Sequence, residues 1–195
     1  GGAFGAYMFG IGATEMAGVL ATGEIWIKVP ETILIKWAGQ TDAFVTAKDM
    51  MLATCAKIGM GGGRYQAIQY AGEAIHKLNM QERMTMSNMA AELGAQAGLI
   101  SPDETTIEYL KSVNASILDN WQNYQIEKPD LNGEVINLDA SSLSPQIAAP
   151  HSPENSSDVD DFKNISFDIA YIGACTGAKY TDLMAAASIL KNRKV

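Results

Sequence analysis

The chain has no uncharged apolar run of about 18 residues, the least that a membrane-crossing helix needs. Nor does a basic stretch lead into an apolar core, as it would in a secretion signal. Cysteine is scarce, with only Cys55 and Cys175 among 195 residues. Two thiols cannot build a disulfide framework, so a reducing, cytoplasmic setting is expected. Positive charge is sparse as well: 14 Lys and Arg stand against 22 Asp and Glu, a formal net charge of −8. The bases form no stripe, which excludes a phosphate-backbone ligand; neither nucleic acid nor membrane is expected as a partner. The acidity reads as ordinary solubility. Histidine is limited to His76 and His151, neither paired with another His or Cys at helical spacing, so neither makes a metal site alone.

What is present suits a folded domain. Apolar residues make up 47% of the chain and charged ones 18%, enough to bury a core and without a disorder signature. The chain opens GGAFGAYMFGIG without an initiator Met and stops at ILKNRKV, and on that pattern it reads as an excised or truncated piece.

Periodicity divides the chain into alternating strands and helices, an α/β organisation. ATEMAGVLATGE predicts a helix with Thr14 as N-cap and Gly23 as stop. WIKVPETILIKWAG alternates as one or two strands broken at Pro30. TAKDMMLATCAKIGMGGG predicts a helix capped by Thr46 and ended by the Gly61–Gly63 run. RYQAIQYAG is strand-like. NMQERMTMSNMAAELGAQAGLI reads as the longest helix, with Gly98 its terminator. SPDETTIEYLKSVN starts another, with Pro102 near its first position. Residues 127–160 are rich in Pro, Ser, Asn and Asp and read as a long connection carrying one strand at Glu134–Leu138. FKNISFDIAYIGA then resumes a strand, and TDLMAAASILKNRK is an amphipathic helix.

Glycine clusters invite a nucleotide reading, but Gly10-Ile-Gly12 lacks the third glycine of a dinucleotide fingerprint. Gly59-Met-Gly61-Gly-Gly-Arg64 lacks the ending of a phosphate loop. Both read as structural glycine. Cys55 falls on the apolar face of its helix and reads as core. Cys175 differs, because a strand-to-helix corner lies beside the positive end of a helix dipole, which stabilises a thiolate. That placement suits a nucleophile, a redox thiol or a metal ligand, or plain packing. Asn88 and Glu92 are four residues apart and would share one face of a continuous helix, pointing either into a site or into solvent.

Five stretches, GGAFGAYMFGIGATEMAGVLATGE, VTAKDMMLATCAKIG, MTMSNMAAELGAQAGLISPDETT, PQIAAPHSPEN and IGACTGAKYTDLMAAASILKNRKV, together resemble the aconitase superfamily. The nearest resemblance is to large subunits of the isopropylmalate dehydratase and homoaconitase-like type. They stand in the family's order and extend over nearly the whole chain. The resemblance implies an aconitase-type three-layer α/β/α domain with partial flanking domains. The tail of a first domain would occupy residues 1–24, the middle α/β domain 25–138, and a linker with the start of a third, cluster-bearing domain 139–195.

It further implies a hydro-lyase that removes and re-adds water on a malate-type hydroxy acid, using a [4Fe–4S] cluster with one open iron and a serine base. Cys175 matches the first cluster cysteine, with Gly177 standing where the family's loop has Asn. Asn88 and Glu92 match a helix pair facing the cluster; the Asn supports its surroundings and the Glu contacts water or hydroxyl on the open iron. The family's Asp-Ser-His motif, its CxxC pair and its substrate-binding arginines are not in this sequence. The chain alone is therefore expected to be apo and inactive. A small subunit of the dehydratase is the implied partner, and self-association of the piece is a second expectation. Two rivals stand beside this reading: a thiol enzyme using Cys175 with His76 or His151 as base, and a non-catalytic interaction module docking through its glycine-aromatic N-terminus.

Overall fold

The computed structural model describes residues 2–117, 119–125, 133–173 and 175–193, with the side chain of Cys175 outside the described part. Four strands form a parallel sheet: β1 (Thr32–Ala38), β2 (Ala67–Ala71), β3 (Ala97–Ile100) and β4 (Val135–Asp139), in the order β3-β2-β1-β4. Parallel neighbours need crossover segments, and helices supply them. After β1 comes α2 (Ala47–Ile58), after β2 come α3 (Glu73–Lys77) and α4 (Met80–Met89), and after β3 comes α5 (Glu104–Ser112). Before the sheet lies α1 (Ala13–Thr22). An antiparallel pair, β5 (Gln146–Ala148) and β6 (Ser156–Asp158), and then α6 (Tyr180–Leu190) follow it. The expected α/β class holds, with a parallel sheet flanked by helices. Among the described residues no helix is long and apolar enough to cross a membrane.

Strand alternation sets the core. Ile33, Ile35 and Trp37 of β1 share a face with Ile68 and Tyr70 of β2, Ile100 of β3, and Ile136 and Leu138 of β4. That face packs against Met50, Met51 and Cys55 of α2 and Met86 and Met89 of α4. Each fully buried side chain of this size contributes roughly 2 kcal/mol. Leu34 and Gln69, on the opposite face, are also buried, as central parallel strands usually are on both sides.

The helix starts follow their sequence signals. At the head of α2 the Thr46 amide donates to Asp49 Oδ2 at 2.7 Å, while Asp49 Oδ1 accepts from the Gln146 amide at 2.8 Å, tying the β5–β6 hairpin to that helix. At the head of α4 Asn79 and Glu82 exchange two 3.1 Å hydrogen bonds, a reciprocal cap.

Several boundaries differ from expectation. The long helix proposed up to Gly98 ends at Met89, passes into a 3₁₀ turn over Ala90–Leu93, and stops at Gly94, whose φ of +72° suits glycine. Gly98 is instead in β3, where a Cβ would stand 2.7 Å from the Ala90 Cβ; the missing side chain lets α4 approach the strand. Only the residues after Pro30 form a strand, and no strand appears within 162–173. Gly59, not the Gly61–Gly63 run, ends α2. Gly12 rather than Thr14 precedes α1, and Asp103 caps α5, which puts Pro102 before the cap rather than near the first helical position. Trp26 and Val29, and farther along Ile169 and Tyr171, are more than 80% exposed.

One charged side chain is shut inside. Arg83 of α4 is 0% exposed. Its guanidinium makes a two-pronged contact with Asp103, at 2.7 and 2.8 Å, and donates to the carbonyls of Leu78 at 3.0 Å and His76 at 3.1 Å. Asp103 also accepts from the Thr106 amide at 3.2 Å as the N-cap of α5. Burial alone would raise the Asp103 pKa, but the hydrogen bonds and charge of Arg83 outweigh it and hold the carboxyl below its ordinary range. The pair therefore contributes fully above about pH 4, and its contribution fades as pH falls through the lowered native value. Asp103→Ala is expected to cost about 3 kcal/mol in urea denaturation at neutral pH, as removal of one partner of a buried pair does. The same substitution should flatten the loss of stability below about pH 4; an unchanged acid limb would contradict this account.

Candidate functional site

A polar stripe runs along α4. Gln81, Thr85 and Asn88 recur at the four- and three-residue steps that share a helix face, Thr85 itself being buried. Asn88 is exposed and lines a cavity of about 390 Å³ together with Ser87, Met84, Phe9 and Gly98. Glu92 does not line that cavity. The switch from 3.6 to 3 residues per turn at Ala90 rotates Glu92 away from the direction a continuous helix would give it. Its Oε2 is buried and without a hydrogen-bond partner among the described residues. The four-residue spacing thus places Asn88 and Glu92 on successive turns but not on one open face.

The 3₁₀ turn that carries Glu92 packs against α2 and β3. The charge of Glu92 acts on Cys55, whose thiol is pushed up to about 11, first by burial and then by Glu92, with a smaller push from Glu154. Tyr70 is raised as well, first by burial, then by Cys55 and Glu92. Glu154 stands on the turn between β5 and β6 and accepts from the Met60 amide at 2.9 Å, so the PHSPEN stretch closes over the end of α2.

At the opposite end of α2 and α4 lies a second cavity, of about 360 Å³. Three helix starts meet there: Thr46 and Lys48 of α2, Asn79, Gln81 and Glu82 of α4 with Thr85 a turn further on, and Lys179 and Asp182 of α6. The turn Cys175–Gly177 packs against α4 and contributes Thr176 and Gly177. Lys179 fastens this turn, its Nζ donating to Thr85 Oγ1 at 2.8 Å and to the Thr176 carbonyl. The Lys48 ammonium lies 3.8 Å from where a Cβ on Gly177 would stand. The expected strand before Cys175 does not form, so the corner is loop-to-helix, with the α6 start five residues beyond the thiol. The polar residues Thr85, Lys48 and Lys179 escaped sequence reasoning; the step from Gln81 through Thr85 to Asn88 was the available signal for the first.

Neither histidine joins these cavities. His76 Nδ1 is 3.6 Å from Asp103 Oδ2 on an exposed edge, and His151 occupies a turn with φ of +85°. Among the described residues no group of three His, Cys, Asp or Glu could hold a metal ion. A cluster needing three thiolates fits the chain's donors only in part: Cys55 is buried and protonated, which leaves Cys175 as the one thiol for such a centre.

The aconitase-family profile (aconitate hydratase) matches residues 1–167. The 3-isopropylmalate dehydratase large subunit of Moorella thermoacetica is 42% identical over 194 residues, covering 100% of this chain and 45% of that protein. Large subunit 1 of the same enzyme from Pyrococcus furiosus is 42% identical over 199 residues, with 46% of its length covered. A probable methanogen homoaconitase large subunit from Methanosarcina mazei is 40% identical over 194 residues, with 49% covered. The chain therefore spans about half the length of the curated relatives it matches.

With its thiol buried and raised, Cys55 is expected to resist alkylation in the folded chain at pH 7–8 and to react once denaturant is added. Mass spectrometry of the labelled peptides checks this, and rapid native-state modification of Cys55 would contradict its place in the core.

Proposed function

That the chain belongs to the aconitase family is the premise from which we propose that it forms part of the large subunit of a hydro-lyase acting on a malate-type hydroxy acid. The carrying observation is the Cys175–Gly177 turn, held by Lys179 against the helix that bears Asn88 and leads into Glu92. In this reading Cys175 supplies one thiolate to a [4Fe–4S] cluster, and the two other thiolates come from polypeptide outside this chain. When bound, such a cluster supplies a Lewis acid that weakens the C–O bond of the substrate hydroxyl, since hydroxide leaves poorly at neutral pH.

The chain's own residues have distinct tasks. The Lys179 hydrogen bonds fix the turn, so the Cys175 backbone is set before any ligand arrives. The small Gly177 leaves open space beside the turn, with Lys48 at its edge. Asn88 offers a carboxamide that both donates and accepts toward the space above α4. Glu92 holds one carboxylate oxygen in the core, keeping the group oriented; its other oxygen accepts a hydrogen bond from the departing or returning water. In the intact protein a small subunit completes the substrate pocket, and the exposed apolar residues near Trp26 and Ile169 face further polypeptide. The middle α/β unit of residues 25–138 remains the part we propose to be an autonomous domain.

A thiol-enzyme reading would need a base beside Cys175, and neither His76 nor His151 lines the cavity at that turn. In the full-length enzyme, Cys175→Ser is expected to abolish the visible iron–sulfur absorbance and bound sulfide. Glu92→Gln should keep both and lower kcat by about 100-fold or more. This chain alone should fail to take up one cluster per chain on reconstitution. A Cys175→Ser enzyme with its full complement of iron and sulfide would sink the assignment.

A further inference from the structure

The cavity beside Asn88 differs in character from the one where the helix starts meet. Met8, Phe9, Met84, Ala91 and Ala95 line its apolar side, and Ser87, Asn88 and Gln96 its polar side. Among the described residues no Lys, Arg, Asp or Glu lines it, whereas Lys48, Lys179, Glu82 and Asp182 line the other. A volume of about 390 Å³, walled by apolar groups with a few neutral polar ones, is the build of a small-molecule pocket.

The walls are held from behind. A 3₁₀ turn, Gly2–Phe4, packs against α4 and β3, and a Cβ on Gly2 would collide with the Gly98 carbonyl oxygen. Glycine permits that close approach. Tyr7 donates its hydroxyl to Gln96 and lies against Phe9, ring centroids 5.5 Å apart, so two wall residues are fixed. Ser87 Oγ is buried and without a hydrogen-bond partner among the described residues. A neutral hydroxyl can hold a water or a substrate oxygen, but it carries no charge to balance a carboxylate.

Charge decides what such a space accepts. A carboxylate leaving water without a paired cation is strongly disfavoured, whereas methyl and methylene groups gain from the same transfer. The adjoining cavity shares Phe9, Gly10 and Gln96 and brings Glu15, Glu24 and Lys28, which supply no excess of positive charge. Met84 and Ala91, four residues before Asn88 and three after it, line the same space as its carboxamide.

We propose that this cavity receives the 3-substituent of the malate-type hydroxy acid, and that the substituent is a branched alkyl group rather than a further carboxylate. The inference rests on the hydro-lyase reading and on Asn88 being a site residue; it adds which member of the substrate class is selected.

The test uses the full-length, cluster-loaded enzyme with two acids of nearly equal shape, 3-isobutylmalate and 3-(carboxymethyl)malate. They differ in charge at the end of one substituent. The alkyl acid is expected to have the higher kcat/KM by about 100-fold, measured in one preparation so that cluster occupancy cancels. A preference below about tenfold, or one for the carboxylate, overturns the proposal. Met84→Lys, which sets an ammonium in the wall, should narrow the preference by about tenfold or more, while Met84→Leu preserves it. An unmoved preference in folded Met84→Lys places the discrimination elsewhere and overturns the assignment. Should that variant not fold, Ala91→Leu decides, because Ala91 is exposed and a leucine there fills the cavity. Its kcat/KM for 3-isobutylmalate should fall about tenfold relative to that for unsubstituted malate, and an equal effect on both overturns the proposal. If the loaded enzyme turns over no malate-type acid, the hydro-lyase reading itself fails. If it turns over both acids without the preference, the substituent site alone fails.

Discussion

The buried guanidinium of Arg83 is the interaction on which the arrangement of this chain depends. It reaches the carbonyls at the end of α3 and the carboxylate that caps α5, so one side chain of α4 joins three helices. A planar group with five donors can satisfy four acceptors at once, which a lysine ammonium cannot do in the same geometry. Because the contact comes near the start of α4, it sets the rotation of that helix. Every residue placed along it inherits the setting: Met86 and Met89 inward, Thr85 toward the α6 cap, Asn88 outward. An apolar substitute could fill the volume, but it would leave the His76 and Leu78 carbonyls without their donor.

From that fixed helix the site divides in two. At the start of α4, side chains of both charge signs from three helix starts, Lys48 and Lys179 with Glu82 and Asp182, surround the Cys175 turn. At its end, the polar stripe stops and the chain tightens into the 3₁₀ turn of Glu92, one of whose carboxylate oxygens is buried.

Much of this was readable in the residues and some was not. The strands TILIKWA and AIQYA, the Thr46 start and the short strand at 135–139 followed from alternation and capping, because in each case local preference and burial agree. The extension of α4 to Gly98 failed because glycine carries two meanings. Gly94 takes a left-handed turn, whereas Gly98 is small so that Ala90 can sit upon it, and only the fold tells these apart. The apolar, β-branched stretch around Ile165–Ile172 looked like a strand, yet no sheet edge receives it among the described residues. For the site, Asn88 and Glu92 were found by spacing, but their divergence depends on a 3₁₀ turn that no single residue announces. The core place of Cys55 was legible from its helical neighbours; its packing in one cluster with Tyr70 was not, since that cluster joins segments far apart in sequence.

The order of the sheet also bears on how the chain is made. β1 is central, flanked by β2 and by β4, and Leu34 pairs with Val135. One side of β1 is thus matched within a few dozen residues of its synthesis, while the other waits for a strand about a hundred residues later. During translation that side is an open row of amides and carbonyls on an apolar ribbon, available to any other extended segment. A nascent chain with this topology has a built-in interval of vulnerability on the ribosome, ending when the Val135–Asp139 segment clears the exit tunnel.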